Sequence, residues 1–295
     1  MSRRHTIDST VGPQPNDRGI ESVEEHVQAA VRGRARSARV ASVVAPVVTF
    51  GLILVIWEVA VRAFDISVLI LPAPTRIATE MAGDIGILAH HGLVTTTEIL
   101  TGYLLSILVG IPLALVLFFS PILSRAIFPL IVSSQLIPKV AIAPLFVIWL
   151  GFGPMPKVII TFLISFFPIT ISTMVGLNSI QREKVLLARS MGMGAAGMFW
   201  RIRLPQALPS VFAGLKIAVT LAVIGAVVGE FVGSDSGLGY LLLVADGNFN
   251  TPLLFASIIV LTAIGVVGYA AVVILERLTI PWYVLQTNAT RPENQ

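Results

Sequence analysis

Few side chains in this sequence can do chemistry, and most of them stand within or beside long apolar runs. Gln135 and Lys139 are four apart, which puts them on one face of a continuous helix. Pro138 cannot donate to the carbonyl of Ser134, so Ser134, Gln135 and Lys139 form a polar patch. On that helix Lys139 stands about 18 Å from the inner end, close to the bilayer midplane. An ammonium there is tolerated only against a water-filled cavity or a protein partner. The three residues are therefore candidates for lining a solute pathway, with interhelix pairing as the alternative.

The other ionisable groups point to structure rather than chemistry. Glu58, Glu98 and Glu230 fall near the outer ends of apolar runs, where they reach water or Arg62. Lys216 lies two turns inside an inner end and can snorkel to the surface. His90 and His91 invite a metal reading, but adjacent histidines on a helix diverge by about 100° and no carboxylate pattern completes a site. No metal site is predicted. The chain has no cysteine, so it has no disulfide, thiolate ligand or thiol nucleophile. No histidine falls in an apolar run, and no catalytic residue is assigned. No Gly-Lys dipeptide occurs, which excludes the phosphate-cradling loop of an ATPase. Gly225, Gly229 and Gly233 recur at four-residue spacing, the pattern of close helix packing in a membrane.

One segment is too polar to span yet carries apolar knobs. Residues 181–205 hold helix-forming stretches on either side of Gly192 and Gly194, and Pro205 is expected to end the unit. Val185, Leu186 and Ala188 would form one apolar face; Met198, Phe199 and Ile202 would form another. Five cations, Arg182, Lys184, Arg189, Arg201 and Arg203, stand among them. The physics allows two readings: a hairpin resting on anionic lipid, or a docking element for a cytoplasmic protein.

The elements that must position these residues are membrane helices. The 295-residue chain is 55% hydrophobic and 12% charged, with a mean hydropathy of +0.88. Residues 1–40 carry 12 of the 36 charges. The remainder is too poor in charge to cover a soluble surface. That excludes a soluble enzyme, a disordered chain and a disulfide scaffold, and leaves an all-α integral membrane protein. Six runs suit a crossing of about 30 Å: residues 40–61, 99–119, 127–150, 158–177, 208–228 and 253–275. The third is interrupted by Ser133, Ser134, Gln135, Pro138 and Lys139. With the N-terminus inside, inner segments hold fifteen Lys and Arg and outer segments three, Arg62, Arg76 and Lys157. Both termini are thus predicted to be cytoplasmic. The basic balance (pI near 9.8) is this orientation signal and not a nucleic-acid footprint. Residues 1–39 read as a mobile cytoplasmic tail without a cleaved signal, 40–280 as the membrane domain, 178–207 as its long inner loop and 281–295 as a second cytoplasmic tail. In the outer segment Leu71-Pro72-Ala73-Pro74 forms an extended turn, and Thr75 is expected to cap a short helix from Arg76 to Ile87.

The inner loop carries a family resemblance. Gly192, nine residues, Ile202, one residue, then Leu204-Pro205 matches the spacing in permease subunits of bacterial ABC importers. That pattern begins Glu-Ala-Ala; here the positions are Leu186, Leu187 and Ala188, and only the last alanine is kept. Trp57-Glu58, Leu71-Pro72-Ala73-Pro74, Gly102-Tyr103, Gly110-Ile111-Pro112 and Phe231-Val232-Gly233 with Gly237-Leu238-Gly239 resemble the nitrate, taurine and sulfonate group. Gln135-Leu136-Ile137-Pro138-Lys139 with Ala143-Pro144-Leu145 is similar to the branch importing pyrimidine-type vitamin precursors. The resemblance implies the six-helix fold of type I ABC importers, in the plasma membrane of a bacterium. Leu186, Leu187, Ala188, Gly192, Ile202, Leu204 and Pro205 would form the ATPase-coupling loop. Two cytoplasmic ATPase subunits would bind ATP and magnesium, and the chain itself would carry no cofactor. A second permease copy or homologue and an extracytoplasmic substrate-binding protein would complete the assembly. The rivals are an ion-coupled secondary transporter, which would favour a midplane carboxylate and often an internal repeat, and a membrane enzyme, which would need a convergent catalytic set.

Overall fold

The computed structural model describes residues 44–282, all helix and connection with no strand among them. The chain divides after Asp65 into two units. The first contains α1 (Val44–Ala63), twenty residues of apolar helix. Near its end Arg62 Nε donates to Glu58 Oε1 at 2.6 Å, the expected partnership one turn apart. The expected tails, 1–39 and 281–295, lie outside the described residues except for Pro281 and Trp282.

The second unit begins with α2 (Pro74–Gly83). Thr75 is not its cap: the helix starts at Pro74 behind Ala73, because proline's fixed φ and missing N–H suit the first helical position. The helix also stops at Gly83, and α3 (Ile85–Phe119) begins two residues on. The sequence reading placed only residues 99–119 of α3 in a span. Its first half is too polar to read as a span from sequence, with His90, His91, Thr95–Thr97 and Glu98 in it. They are helical all the same. Thr96 Oγ1 donates to Gly92 O and Thr101 Oγ1 to Thr97 O, both at 2.7 Å, so hydroxyls are satisfied by their own helix. Thr95 and Glu98 face protein, not lipid.

The third expected span is broken. Helices α4 (Pro121–Ser134) and α5 (Lys139–Leu150) meet at 97° across Gln135–Pro138. Leu136 N–H bonds Ser133 O at 3.1 Å and Ile137 N–H bonds Ser134 O at 3.3 Å, a tightened last turn. Pro138 then pushes Ile137 away from helical geometry and caps α5 in an extended conformation (φ −68°, ψ 98°). Gln135 and Lys139 therefore do not share a helical face, contrary to the sequence expectation.

The long helices α6 (Pro154–Asn178), α9 (Leu204–Gly233) and α11 (Thr251–Thr279) are the remaining apolar spans. Among the described residues five helices are long and apolar enough to cross a membrane, and the count is six when the bent α4–α5 pair is taken as one broken span. A ten-residue apolar helix, α10 (Leu238–Gly247), separates α9 from α11. The centre of the bundle is α6, flanked by α3 and α9. Glycines set the spacing. A Cβ on Gly225 would meet Thr161 Cα at 2.7 Å, one on Gly229 would meet Lys157 Cα at 2.8 Å, and one on Gly102 would meet Thr161 Cβ at 2.5 Å. Gly233 faces the Val147 side chain instead, at 3.2 Å. The four-residue glycine repeat is a packing device, as its spacing predicted.

Three charges lie inside this bundle. Lys157, in the first turn of α6, is 5% exposed and ion-paired with Glu98 of α3. Lys157 Nζ also donates to Ser234 Oγ beyond α9 at 3.0 Å. Glu230, 1% exposed in the last turn of α9, accepts from Thr95 Oγ1 at 2.6 Å and from Gly239 N–H at 2.5 Å. Leu238 N–H donates to Thr95 Oγ1 at 2.7 Å, and Gly237 N–H to His91 Nδ1 at 2.9 Å. Glu230, Thr95 and His91 thus satisfy the free N–H groups that start α10. Gly237 (φ +103°) leaves room for the carboxylate: a Cβ there would stand 2.0 Å from Glu230 Oε1. These contacts correct three expectations. Glu98 and Glu230 are buried rather than facing water, and Lys157, expected in an outer segment, is buried in the bundle. Lys216, expected to snorkel, pairs with Glu276 of α11 at 2.7 Å.

Candidate functional site: the loop between α6 and α9

The loop builds a compact hairpin from local signals. Helix α7 (Arg182–Ser190) has Glu183 in its first turn and Arg189 in its last, each suited to the helix dipole. It ends in a Schellman turn: Met193 N–H bonds Ala188 O at 3.0 Å and Gly192 N–H bonds Arg189 O at 2.9 Å. Gly192 takes the left-handed position at φ +79°. An added Cβ would touch nothing within 4 Å, so backbone conformation alone requires glycine here.

Beyond the turn, α8 (Ala195–Met198) runs through one π-helical turn, Phe199–Arg203, into α9. Leu204 N–H reaches back five residues to Phe199 O. Pro205 explains the wide turn, since it cannot donate to Arg201 O and its ring would crowd that carbonyl. Pro205 was expected to end the unit. Instead it sits in the first turn of α9, and Ala195–Gly233 reads as one 39-residue rod.

The apolar residues sort by face. Ala188, Met198 and Phe199 are buried, and Val185 and Ile202 are half-buried. Leu186 does not join Val185 and Ala188, since it lies about 100° from Val185 around the helix. It is 64% exposed, Leu187 63% and Met191 77%, and together they make an outward apolar face. Phe199 packs with Leu177 at the end of α6 and Ala207 of α9. The hairpin is therefore seated on the helix ends while its leucines face outward.

This geometry, a capped hairpin at the foot of a long membrane rod, can now be set beside known proteins. Residues 106–281 match the family described as binding-protein-dependent transport system inner membrane component. The chain belongs to that family. As a permease it is the non-catalytic membrane component of an ABC transporter, which sets aside the secondary transporter and the membrane enzyme. It is 40% identical to the formylaminopyrimidine transport permease of Halalkalibacterium halodurans, over 80% of this chain and 95% of that one. It is 38% identical to the riboflavin transport system permease of Chloroflexus aurantiacus, over 80% and 88%. For the taurine transport system permease of Escherichia coli the identity is 28%, over 80% and 88%. In fold the permease resembles the solved MetNI methionine ABC transporter, with a TM-score of 0.57 and 17% identity over 66% of this chain and 97% of that one.

The remaining candidate residues of the permease lie apart from the hairpin. Ser134, Gln135 and Lys139 meet at the α4–α5 break. Lys139 Nζ donates to Gln135 O at 2.5 Å and lies 4.6 Å from the centre of the Phe167 ring of α6. Ser134 Oγ donates to Ile131 O. The ammonium is held by a carbonyl freed at the break and by an aromatic face, and among the described residues no carboxylate pairs with it. The sequence reading missed the Glu98–Lys157–Glu230 cluster. Its one local signal was a glutamate at the end of an apolar run, seven residues before Gly237-Leu238-Gly239.

Proposed function

We propose that this permease imports a small organic nutrient of the pyrimidine or vitamin-precursor class, with sulfonates, taurine or nitrate as the more distant possibilities. The order of identities among its relatives supports that ranking. A binding protein delivers the solute to the outer face. Two ATPase subunits, carrying ATP and magnesium, dock on the α7–α8 hairpins of two permease copies, which a two-fold assembly brings together. Both termini lie in the cytoplasm.

The observation that carries this reading is the exposed Leu186–Leu187–Met191 face, held at a set angle by the Gly192 turn and continuous through α8 into the α9 rod. A force applied to that face reaches the bundle through α9 and the close α6–α9 contact as rigid-body motion. Ala188, Ile202, Leu204 and Pro205 support the face without forming it. In Gly192→Val the turn must either strain a β-branched residue at positive φ or unwind, so α7 loses its angle. The variant is expected to insert normally, to bind the ATPase weakly and to lose transport. Transport at the wild-type rate would remove the hairpin from the coupling role.

The α4–α5 break is proposed to line the pathway, since exposed Gln135 and half-buried Lys139 form a polar patch where two largely apolar helices meet. A chain without cysteine allows one experiment to test both topology and pathway. Ala82→Cys is expected to react with a membrane-impermeant reagent only from outside, and Ala196→Cys only from inside. Gln135→Cys is expected to react at a rate that changes when the ATPases are trapped closed. Inverted labelling of the first two overturns the orientation; an inert Gln135→Cys in every state makes the break a packing feature.

A further inference from the structure

The α7–α8 hairpin shelters a cleft that coupling does not account for. Its volume is about 510 Å³, between the ends of α3 and α6 and the inner side of the hairpin. Arg189 and Arg203 line it, with Asn178, Phe118, Phe119 and Phe199 among its walls, and no carboxylate does. Among the described residues neither guanidinium has an ion-pair partner. Arg203 is stacked 5.0 Å over the Phe118 ring, which holds its plane and leaves its N–H edges for a ligand. Arg182, Lys184 and Arg201 on the same hairpin add positive potential against the single acid Glu183.

The surroundings indicate which anion fits. An aromatic run crosses the rim: Phe119 lies 5.0 Å from Phe199, and Phe199 lies 5.3 Å from Trp200. Phe119 and Trp200 are both strongly exposed. Exposed aromatics at the end of a spanning helix mark the headgroup level of a bilayer. Val185, Met193 and Met198 supply apolar walls beside the arginines. A free inorganic anion would use the charges and leave those walls wet. A choline headgroup would bring its ammonium against two guanidiniums. We propose that this cleft binds the phosphate of an anionic phospholipid, with Arg189 and Arg203 on the phosphate oxygens and the glycerol end against the apolar walls. The placement rests on the reading that the hairpin lies at the membrane face where the ATPases dock. The lipid would then brace the hairpin against the ends of α3 and α6.

The test uses the full-length chain in a neutral maltoside detergent, melted by tryptophan fluorescence. Phosphatidylglycerol is expected to raise Tm by about 5 °C more than phosphatidylcholine does. In the Arg189→Gln/Arg203→Gln double variant that difference disappears while the response to phosphatidylcholine remains. Equal shifts from the two lipids overturn the proposal, as does an unchanged difference in the double variant. The same shift from inorganic phosphate alone also overturns it, because the cleft would then be a free-anion site. Native mass spectrometry of the wild-type chain needs no variant to fold: anionic lipid is expected to stay bound after phosphatidylcholine has been stripped, and its equal loss overturns the proposal. These readouts report binding whichever side the hairpin faces, whereas labelling of Ala196→Cys reports the side alone.

Discussion

Lys157→Met is expected to lower the melting temperature by about 10 °C and to empty the membrane of folded permease. Lys157 and Glu98 pair with side chains only 6% and 4% exposed. Removing one member of a buried pair strands the other charge and costs about 3–5 kcal/mol. That is a large share of a stability on the order of 5–15 kcal/mol, and each kcal/mol lowers Tm by about 2–4 °C in a chain of this size. Glu98 would be left beside a second carboxylate, Glu230, with no cation among the described residues to replace Lys157. The double variant Lys157→Met/Glu98→Met is expected to recover most of the loss, because two apolar side chains of similar volume need no solvation. Thermal melts of the single and double variants check this. A single variant that melts with the wild type shows that the pair is not buried in the membrane-embedded protein. A double variant no better than the single shows that the loss comes from Lys157's contact with Ser234 and not from a stranded charge.

Gly225→Leu is expected to abolish assembly of the bundle, and Gly225→Ala to cost about 1–3 kcal/mol, the usual penalty for overpacking. An alanine Cβ would stand 2.7 Å from the Cα of Thr161. The obstacle is backbone, so no side-chain rotation relieves it, and α9 must move away from α6. That separates the helices whose contact joins the hairpin rod to the bundle. Gly265→Ala is the control. Its Cβ would meet only Val223 Cγ2, at an ordinary 3.5 Å, so the variant is expected to be neutral or more stable by up to about 1 kcal/mol. Expression and melting of the three variants check the ranking. If Gly225→Ala and Gly265→Ala behave alike, the α6–α9 approach is looser than the structure has it.

Much of this protein was legible from short-range pattern. Hydrocarbon thickness requires about twenty apolar residues per crossing, so six runs and a shortage of charge established a helical membrane protein. The missing Gly-Lys dipeptide placed ATP hydrolysis on another chain. Ile202 and Leu204-Pro205 entered by resemblance, and Pro205 continues the rod it was expected to end. Gly192 announced the hairpin turn, because a Schellman turn is set by residues a few positions apart. The glycine repeat predicted close packing for the same reason.

Tertiary structure decided what depends on distant partners. Hydropathy cut α3 short at Ile99, because a polar stretch reads as loop unless its burial against α6, α9 and α10 is known. Glu98, Lys157 and Glu230 each looked like a helix-end charge facing water. Glu98 and Lys157 lie 59 residues apart, and Thr95 reaches Glu230 across 135. No local period encodes such a pairing. Pro138 announced an interruption, but only the packing of Lys139 on Phe167 and the 97° turn showed that Gln135 and Lys139 leave the common face their spacing implied. Leu186 was grouped with Val185 and Ala188 on one apolar face, and the fold separates it from them: Ala188 is buried while Leu186 turns outward. Apolarity encodes a preference to be covered, but whether the cover is the chain itself, lipid or another subunit is settled only by where the helix is seated.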